Sequence, residues 1–139
     1  MYIERLDALL LWFAAKFPTM HITEDFCELE NQNAQKLKAG ILTVIMGPAH
    51  GFSSALSAQP PIGKQVVQIV IQRRLNTIDK GSTVTRAELA LMDEIRSLQN
   101  DIDLPREACG LIIRDIINSQ QSKVPDLEIL ATFEVQDDD

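Results

Sequence analysis

The segment from Leu127 to Gln136 alternates well. Leu127, Ile129, Ala131, Phe133 and Val135 fall on one side, and Glu128, Leu130, Thr132, Glu134 and Gln136 on the other. Successive strand side chains point to opposite faces, so this run predicts a strand with one packed face and one wet face. That is the habit of antiparallel sheets. Lys64 to Arg74 repeats the pattern, with Val67, Ile69 and Ile71 opposed by Val66, Gln68, Val70, Gln72 and Arg74. Two such strands need neighbours and a helical cover for the packed face.

Candidates for both are present. Residues 3 to 17 read as an amphipathic helix: Ile3, Leu6, Leu10, Phe13 and Phe17 recur at helical spacing, and Glu4, Arg5, Asp7 and Lys16 take much of the remainder. Leu9, Leu11 and Trp12 widen its apolar surface, and Pro18 ends it. Met20 to Thr23 reads as a short strand. Glu24 to Glu30 follows as an acidic connector, with a turn at Asn31 to Asn33. Ala39 to Met46 is rich in β-branched residues and reads as a buried strand. Thr85 and Glu88 have capping-box spacing and Val84 and Leu89 staple spacing, which predicts a helix from Thr85 to Leu98. Its buried face would be Leu89, Met92, Ile95 and Leu98, with Asn100-Asp101 closing it. Pro105 suits a first helical position, and Cys109, Ile112, Ile113, Ile116 and Ile117 suit an apolar face, so a third helix is expected from Pro105 to about Ser119. The tail Asp137-Asp138-Asp139 is expected to fray. The expected class is α+β over a single domain, residues 1 to 139: a small antiparallel sheet of about four strands with helices packed on one face.

Charge narrows the function. Thirteen basic residues face 20 acidic ones, for a net charge of −7. Nucleic-acid affinity comes largely from Lys and Arg neutralising phosphates, and anionic membranes attract the same residues, so neither partner is expected. Cys27 and Cys109 are far apart with no CxxC, and each is read as a buried reduced thiol. His21, read as a strand residue, and His50, read as a loop residue, belong to no HxxH or HExxH pattern. No metal or cofactor is expected. The apolar run Ala8 to Ala15 follows Glu4, Arg5 and Asp7, which is not the positive start of a secretory signal, and it is too short to span a bilayer, which needs about 20 residues. A soluble protein made in a cytosol is the expectation. The acidic stretch Glu24, Asp25, Glu28 and Glu30 is the one dense set of carboxylates for an enzyme, and it reads as a solvated connector.

One segment does not suit a bland domain. Ala39 through Gly63 contains no Asp, Glu, Lys or Arg, in a chain that is 24% charged. Its second part, Gly47 to Gly63, is punctuated by Gly47-Pro48, Gly51, Pro60-Pro61 and Gly63 and is expected to be a loop. Loops longer than about 12–15 residues are usually functional or disordered. Gly51-Phe52-Ser53-Ser54-Ala55 lacks the second glycine of a nucleophile elbow, and no Gly-Lys-Ser/Thr follows Gly47 as a phosphate loop needs. Two readings remain: the loop covers its own sheet, or its apolar residues Phe52, Leu56 and Ile62 meet a partner. Partner contact is the reading carried forward. Arg73 and Arg74 read as solvated strand-end residues or as contacts to an acidic partner, since arginine suits planar carboxylates.

The order of elements, with the N-terminal helix, the apolar strand Ile41 to Met46, the long strand Lys64 to Arg74, the capped helix Thr85 to Leu98 and the alternating C-terminal strand, resembles the tail-terminator or tail-completion (neck) proteins of long-tailed bacteriophages. The resemblance rests on element order, length and charge rather than on a diagnostic motif. It implies a virion protein that caps the tail tube as a homo-oligomeric ring, usually a hexamer, and touches the tail-tube protein and the head–neck connector. It implies no enzyme and no catalytic residues. The alternative is a small monomeric or dimeric binding or immunity-type domain that grips one protein through its apolar loop.

If the loop docks on a partner, replacing Phe52 and Leu56 together by Ser should leave the melting temperature of the isolated domain nearly unchanged and prevent assembly. Each buried side chain of this kind contributes about 1.5–3 kcal/mol. If the loop covers its own sheet, calorimetry should instead show a loss of about 5 kcal/mol with cavity effects, which rejects docking.

Overall fold

The two alternating runs pair with each other at the centre of one sheet. The computed structural model describes residues 2–51, 63–75 and 81–137. In chain order these form α1 (Tyr2–Lys16), β1 (His21–Thr23), α2 (Ala34–Ala39), β2 (Ile41–His50), β3 (Gly63–Arg74), α3 (Gly81–Arg96), β4 (Ile112–Asn118) and β5 (Asp126–Asp137). Short 3₁₀ turns lie at Leu29–Asn31 and Arg106–Ala108. The class is α+β, as expected. The sheet has five strands rather than four, in the order β1-β2-β3-β5-β4, and it is mixed because β1 runs parallel to β2. The other pairs are antiparallel.

Strand alternation gives the sheet two different faces. On one, Val67, Ile69 and Ile71 of β3 lie opposite Phe133, Ala131 and Ile129 of β5, with Leu42 and Val44 of β2 alongside. Leu9, Trp12 and Phe13 of α1 and Val84, Leu91 and Ile95 of α3 pack onto this face, and all of these residues are buried. The Phe13 and Phe133 rings lie 6.2 Å apart between centroids and are tilted, a favourable aromatic arrangement. Each such buried side chain stabilises the fold by about 1.5–3 kcal/mol. Among the described residues, the opposite face is covered at one end, where Leu29, Leu37 and Ile41 form a second small cluster beneath α2. α2 escaped the sequence reading because six residues are too short to show a period. Its start is nonetheless built conventionally, with Asn33 Oδ1 accepting from the backbone N–H groups of Gln35 and Lys36.

The expected helix from Pro105 to Ser119 is a strand. Arg106–Ala108 is a single 3₁₀ turn, and Gly110 then takes φ of +70°, where a Cβ would come within 2.8 Å of the Gln136 side chain. That turn aims the following residues along β5. A bulge between Ile113 and Asp115 inserts one residue, so Ile113 faces Phe133 and Ile116 faces Ala131 on the packed side. The bulge converts a period of two into a spacing of three, which imitates a helix in sequence.

The expected loop Gly47 to Gly63 is also corrected at both ends. β2 continues through His50, which is a strand residue opposite Lys64, and Gly63 opens β3. Gly47 and Pro48 form an irregularity between Met46 and Ala49, the kind of place where a strand tolerates a proline. A Cβ on Gly47 would lie 2.8 Å from the Val66 carbonyl oxygen, so the glycine is needed for close strand approach. Residues 52–62, which include Phe52, Leu56 and Ile62, lie outside the described residues.

α3 begins at Gly81, so Thr85 is an interior residue and not its cap. Ile95 and Leu98 are buried as expected and Met92 partly so, but Leu89 is exposed, and Val84, Glu88 and Leu91 complete the buried face. Glu88 turns inward because its Oε2 accepts from Ser119 N and Oγ and from Glu128 N. In α1, Ile3 is exposed and Arg5 is buried, the reverse of the amphipathic reading. Arg5 donates to Gln65 Oε1 at 2.6 Å, to the Glu107 carbonyl at 2.8 Å and to the Gln136 carbonyl at 3.2 Å, and it reaches Asp137 at 3.4 Å. Asp137, expected to fray, is a buried strand residue that also accepts from the Tyr2 hydroxyl. Asp138 and Asp139 lie outside the described residues.

Arg5→Met should therefore cost about 3–5 kcal/mol, because it leaves the Asp137 carboxylate buried without its cation. Urea unfolding measures this directly. A loss below about 1 kcal/mol would show that the Arg5 cluster contributes little beyond packing.

Candidate functional site

Arg73 and Arg74 are neighbours on β3, so the strand sends them to opposite faces. Arg74 lies on the open face and meets Asp126 of β5 through two bonds, Nε to Oδ1 at 2.9 Å and Nη2 to Oδ2 at 3.2 Å. This paired geometry commits Arg74 to the sheet. Arg73 lies on the helix side, in register with Leu127, and is exposed. No hydrogen bond or ion pair joins its guanidinium to another described residue.

Arg73 stands at a cleft of about 550 Å³ between the C-terminal end of α1 and α3. The cleft exists because α3 turns two small residues, Ala87 and Ala90, toward it, and because Pro18 ends α1 and lets the chain bend down toward β1. Phe17, Leu91, Leu98 and Leu127 supply apolar lining, and Lys16, Thr19, Arg73, Glu94 and Ser97 supply polar lining. The volume is in the range of ligand and side-chain pockets.

The α1 wall of the cleft is braced by a charge cluster that sequence reading did not assemble. Trp12 Nε1 donates to Asp101 Oδ2 at 2.8 Å, and Lys16 Nζ donates to Asp101 at 3.0 Å and to Asp103 at 3.2 Å. The Trp12 hydrogen bond, and secondarily that of Lys16, holds the Asp101 carboxyl below the usual carboxylate range. Hydrogen bonds from Lys16 to Asp101 and Asp103 raise the Lys16 ammonium above its ordinary value. Among the described residues, a partner at the cleft would thus meet Arg73, not Lys16, as the unpaired cation.

The open face of the sheet carries a second feature. Beyond α2 it presents Val70 and Leu130 between Phe26 of the acidic connector and Ile117 of β4, around a hollow of about 390 Å³. Phe26 is 48% exposed and Ile117 is 55% exposed. β4 is an edge strand; its bulge and the charged pair Arg114-Asp115 guard its first half, as edges commonly are, and Ile117 lies in the second half. Arg114 bonds Glu134, which also stands 3.5 Å from His50. The Arg114 contact is the main reason that the Glu134 carboxyl is held below its ordinary range.

The connector itself is tied down by amides. Gln72, fully buried on β3, donates to the Cys27 carbonyl at 3.3 Å and to Glu128 at 3.0 Å, and accepts from Gln32 at 2.8 Å. Cys27 is partly buried, whereas Cys109 is exposed rather than the buried thiol expected, because the turn ending at Gly110 sits on the surface. Among the described residues, no group of three His, Cys, Asp or Glu side chains could hold a metal ion. No described helix is long and apolar enough to cross a membrane.

Of the five residues singled out from sequence, the structure places Arg73 at a cleft and Arg74 in a sheet ion pair, and Phe52, Leu56 and Ile62 lie outside the described residues. Sequence reasoning missed Phe26, although an aromatic residue amid Glu24, Asp25 and Glu28 is an unusual neighbour for a solvated connector. Set beside known proteins, the sequence matches no protein-family model and no curated protein.

Trp12 is the only tryptophan, so its fluorescence reports the cleft wall. Because the folded Asp101 titrates lower than the unfolded one, its contribution to stability is complete above the usual carboxylate range of about 3.9 and is lost as pH falls through the depressed value. An acid titration should show a Trp12 emission change below that range. Asp101→Asn should abolish it; an unchanged titration in that variant would refute the assignment.

Proposed function

We propose that the chain is a structural virion protein. It forms a ring homo-oligomer, taken as a hexamer, that caps the tail tube of a long-tailed bacteriophage and joins the tail to the head–neck connector. Synthesis in the bacterial host cytoplasm precedes its place in the virion. The observation that supports this reading is the sheet face that the described residues leave partly uncovered. Its β4 edge and the adjoining open face leave Ile117 and Phe26 half exposed, which is apolar surface that a neighbour would remove from water. Repeated heterologous contacts close into a ring when their rotation allows. The uncharged segment 47–63 then supplies further contact with tube or neck proteins through Phe52, Leu56 and Ile62, and no step in this role requires catalysis.

Light scattering of the purified chain, alone and with tail tubes, followed by negative-stain imaging, tests the proposal. The expected outcome is a closed ring of one size, alone or at the tube end. Monomers at every concentration, together with tails lacking a ring of this protein, would overturn it. A stable one-to-one complex with a single partner would establish the small binding-domain alternative instead.

A further inference from the structure

Two features of the surface are complementary in chemistry: Phe26 borders the open face of the sheet, and the Arg73 cleft lies on its helix face. One is a knob. Phe26 projects from a connector in which Glu24, Asp25, Glu28 and Glu30 are all exposed and which contains no basic residue from Glu24 to Glu30. The other is a socket. The cleft between α1 and α3 has Phe17, Leu91, Leu98 and Leu127 in its lining, and at it stand Glu94 and Arg73, the latter unpaired among the described residues.

We propose that Phe26 of one copy of this chain seats in the Arg73 cleft of a second copy, with the carboxylates of Glu24 and Asp25 meeting the Arg73 guanidinium. The occupant is chosen by charge and shape together. The apolar floor suits an aromatic side chain, because aromatic anchors dominate interface energetics. The Arg73 guanidinium, unpaired among the described residues, suits flanking carboxylates provided they approach on the Arg73 side, away from Glu94, because arginine pairs well with planar carboxylates. The knob cannot fill the socket of its own copy. Phe26 borders the hollow with Val70 and Leu130 on the open face, whereas the cleft lies on the helix face, so the sheet stands between them. The contact is therefore intermolecular and heterologous, which is the type that repeats around a ring. This inference rests on the ring reading only for the existence of self-association; it names the surfaces that meet.

The test uses the full chain with a photo-reactive benzoylphenylalanine in place of Phe26. Irradiation followed by peptide mass mapping should join position 26 to residues 16–20 or 87–98 of a second molecule. In sedimentation experiments, Phe26→Ala should weaken self-association on the order of thirtyfold, the loss expected of a central aromatic anchor. Arg73→Glu should weaken it as well, and Asp25→Arg added to Arg73→Glu should restore it. All three positions are exposed, so circular dichroism should show each variant folded. Rings that form normally but cross-link elsewhere overturn this inference and leave the ring intact. Cross-links at the cleft within dimers or open filaments support the inference and overturn the ring. A chain that never self-associates overturns both.

Discussion

The β3–β5 ladder carries the rest of the structure. It runs unbroken from Gly63 opposite Asp137 to Arg74 opposite Asp126, and the other elements build outward from it, β1 by way of β2. β2 adds on the β3 side, β4 adds on the β5 side, and both long helices pack on the row formed by Val67, Ile69, Ile71, Ile129, Ala131 and Phe133. A slip of one residue would exchange that row for Gln68, Val70, Thr132 and Leu130 and place amides and hydroxyls under the helices. Polar contacts fix the register at both ends. Arg74 and Asp126 hold one end, and Arg5 holds the other by bridging Gln65 and Asp137.

The ladder was also the most legible part of the sequence, because a half-buried strand writes its two faces as strict alternation. α1 was legible for a similar reason, in that Leu9, Trp12, Phe13 and Phe17 broaden a helical stripe. The failures each have a physical cause. In β4 the inserted residue at the bulge changes the phase, so Ile113 and Ile116, spaced three apart like a helix face, lie on the packed side of a strand while Ile112 and Ile117 lie on the other. In β2 the irregularity absorbs Gly47 and Pro48, which in isolation signal a turn. Arg5 and Asp137 read as solvent-facing because charged residues usually are exposed, and Glu88 reads as half of a capping box. Here each is buried with several hydrogen-bond partners supplied by segments distant in sequence.

The candidate site was half legible. Arg73 and Arg74 were recognised as a pair, yet their separation onto opposite faces follows only from the strand that contains them. The cleft beside Arg73 needs the tertiary structure altogether, since its walls come from α1, α3 and the centre of the sheet. Its brace does too: Lys16, Trp12 and Asp101 belong to segments far apart in sequence, and no local pattern links them. Phe26 carried a local signal, an aromatic among acids, whose meaning depends on the open face beneath it.

The central ladder also constrains the order in which the chain can assemble. β2 and β3 are close in sequence and can pair early, but β5 reaches β3 only after α3 and β4 have been made, and closing so long a loop is entropically slow. Until β5 arrives, the inward row of β3 and its second edge are uncovered. For that interval the chain presents an apolar, edge-exposed hairpin to every other copy in the cell. Charge offers no safeguard in that interval: of the 20 acidic residues, six lie from Asp126 onward, and residues 1–125 hold 14 acidic against all 13 basic ones, so the net repulsion between copies arrives only with the strand that covers the row.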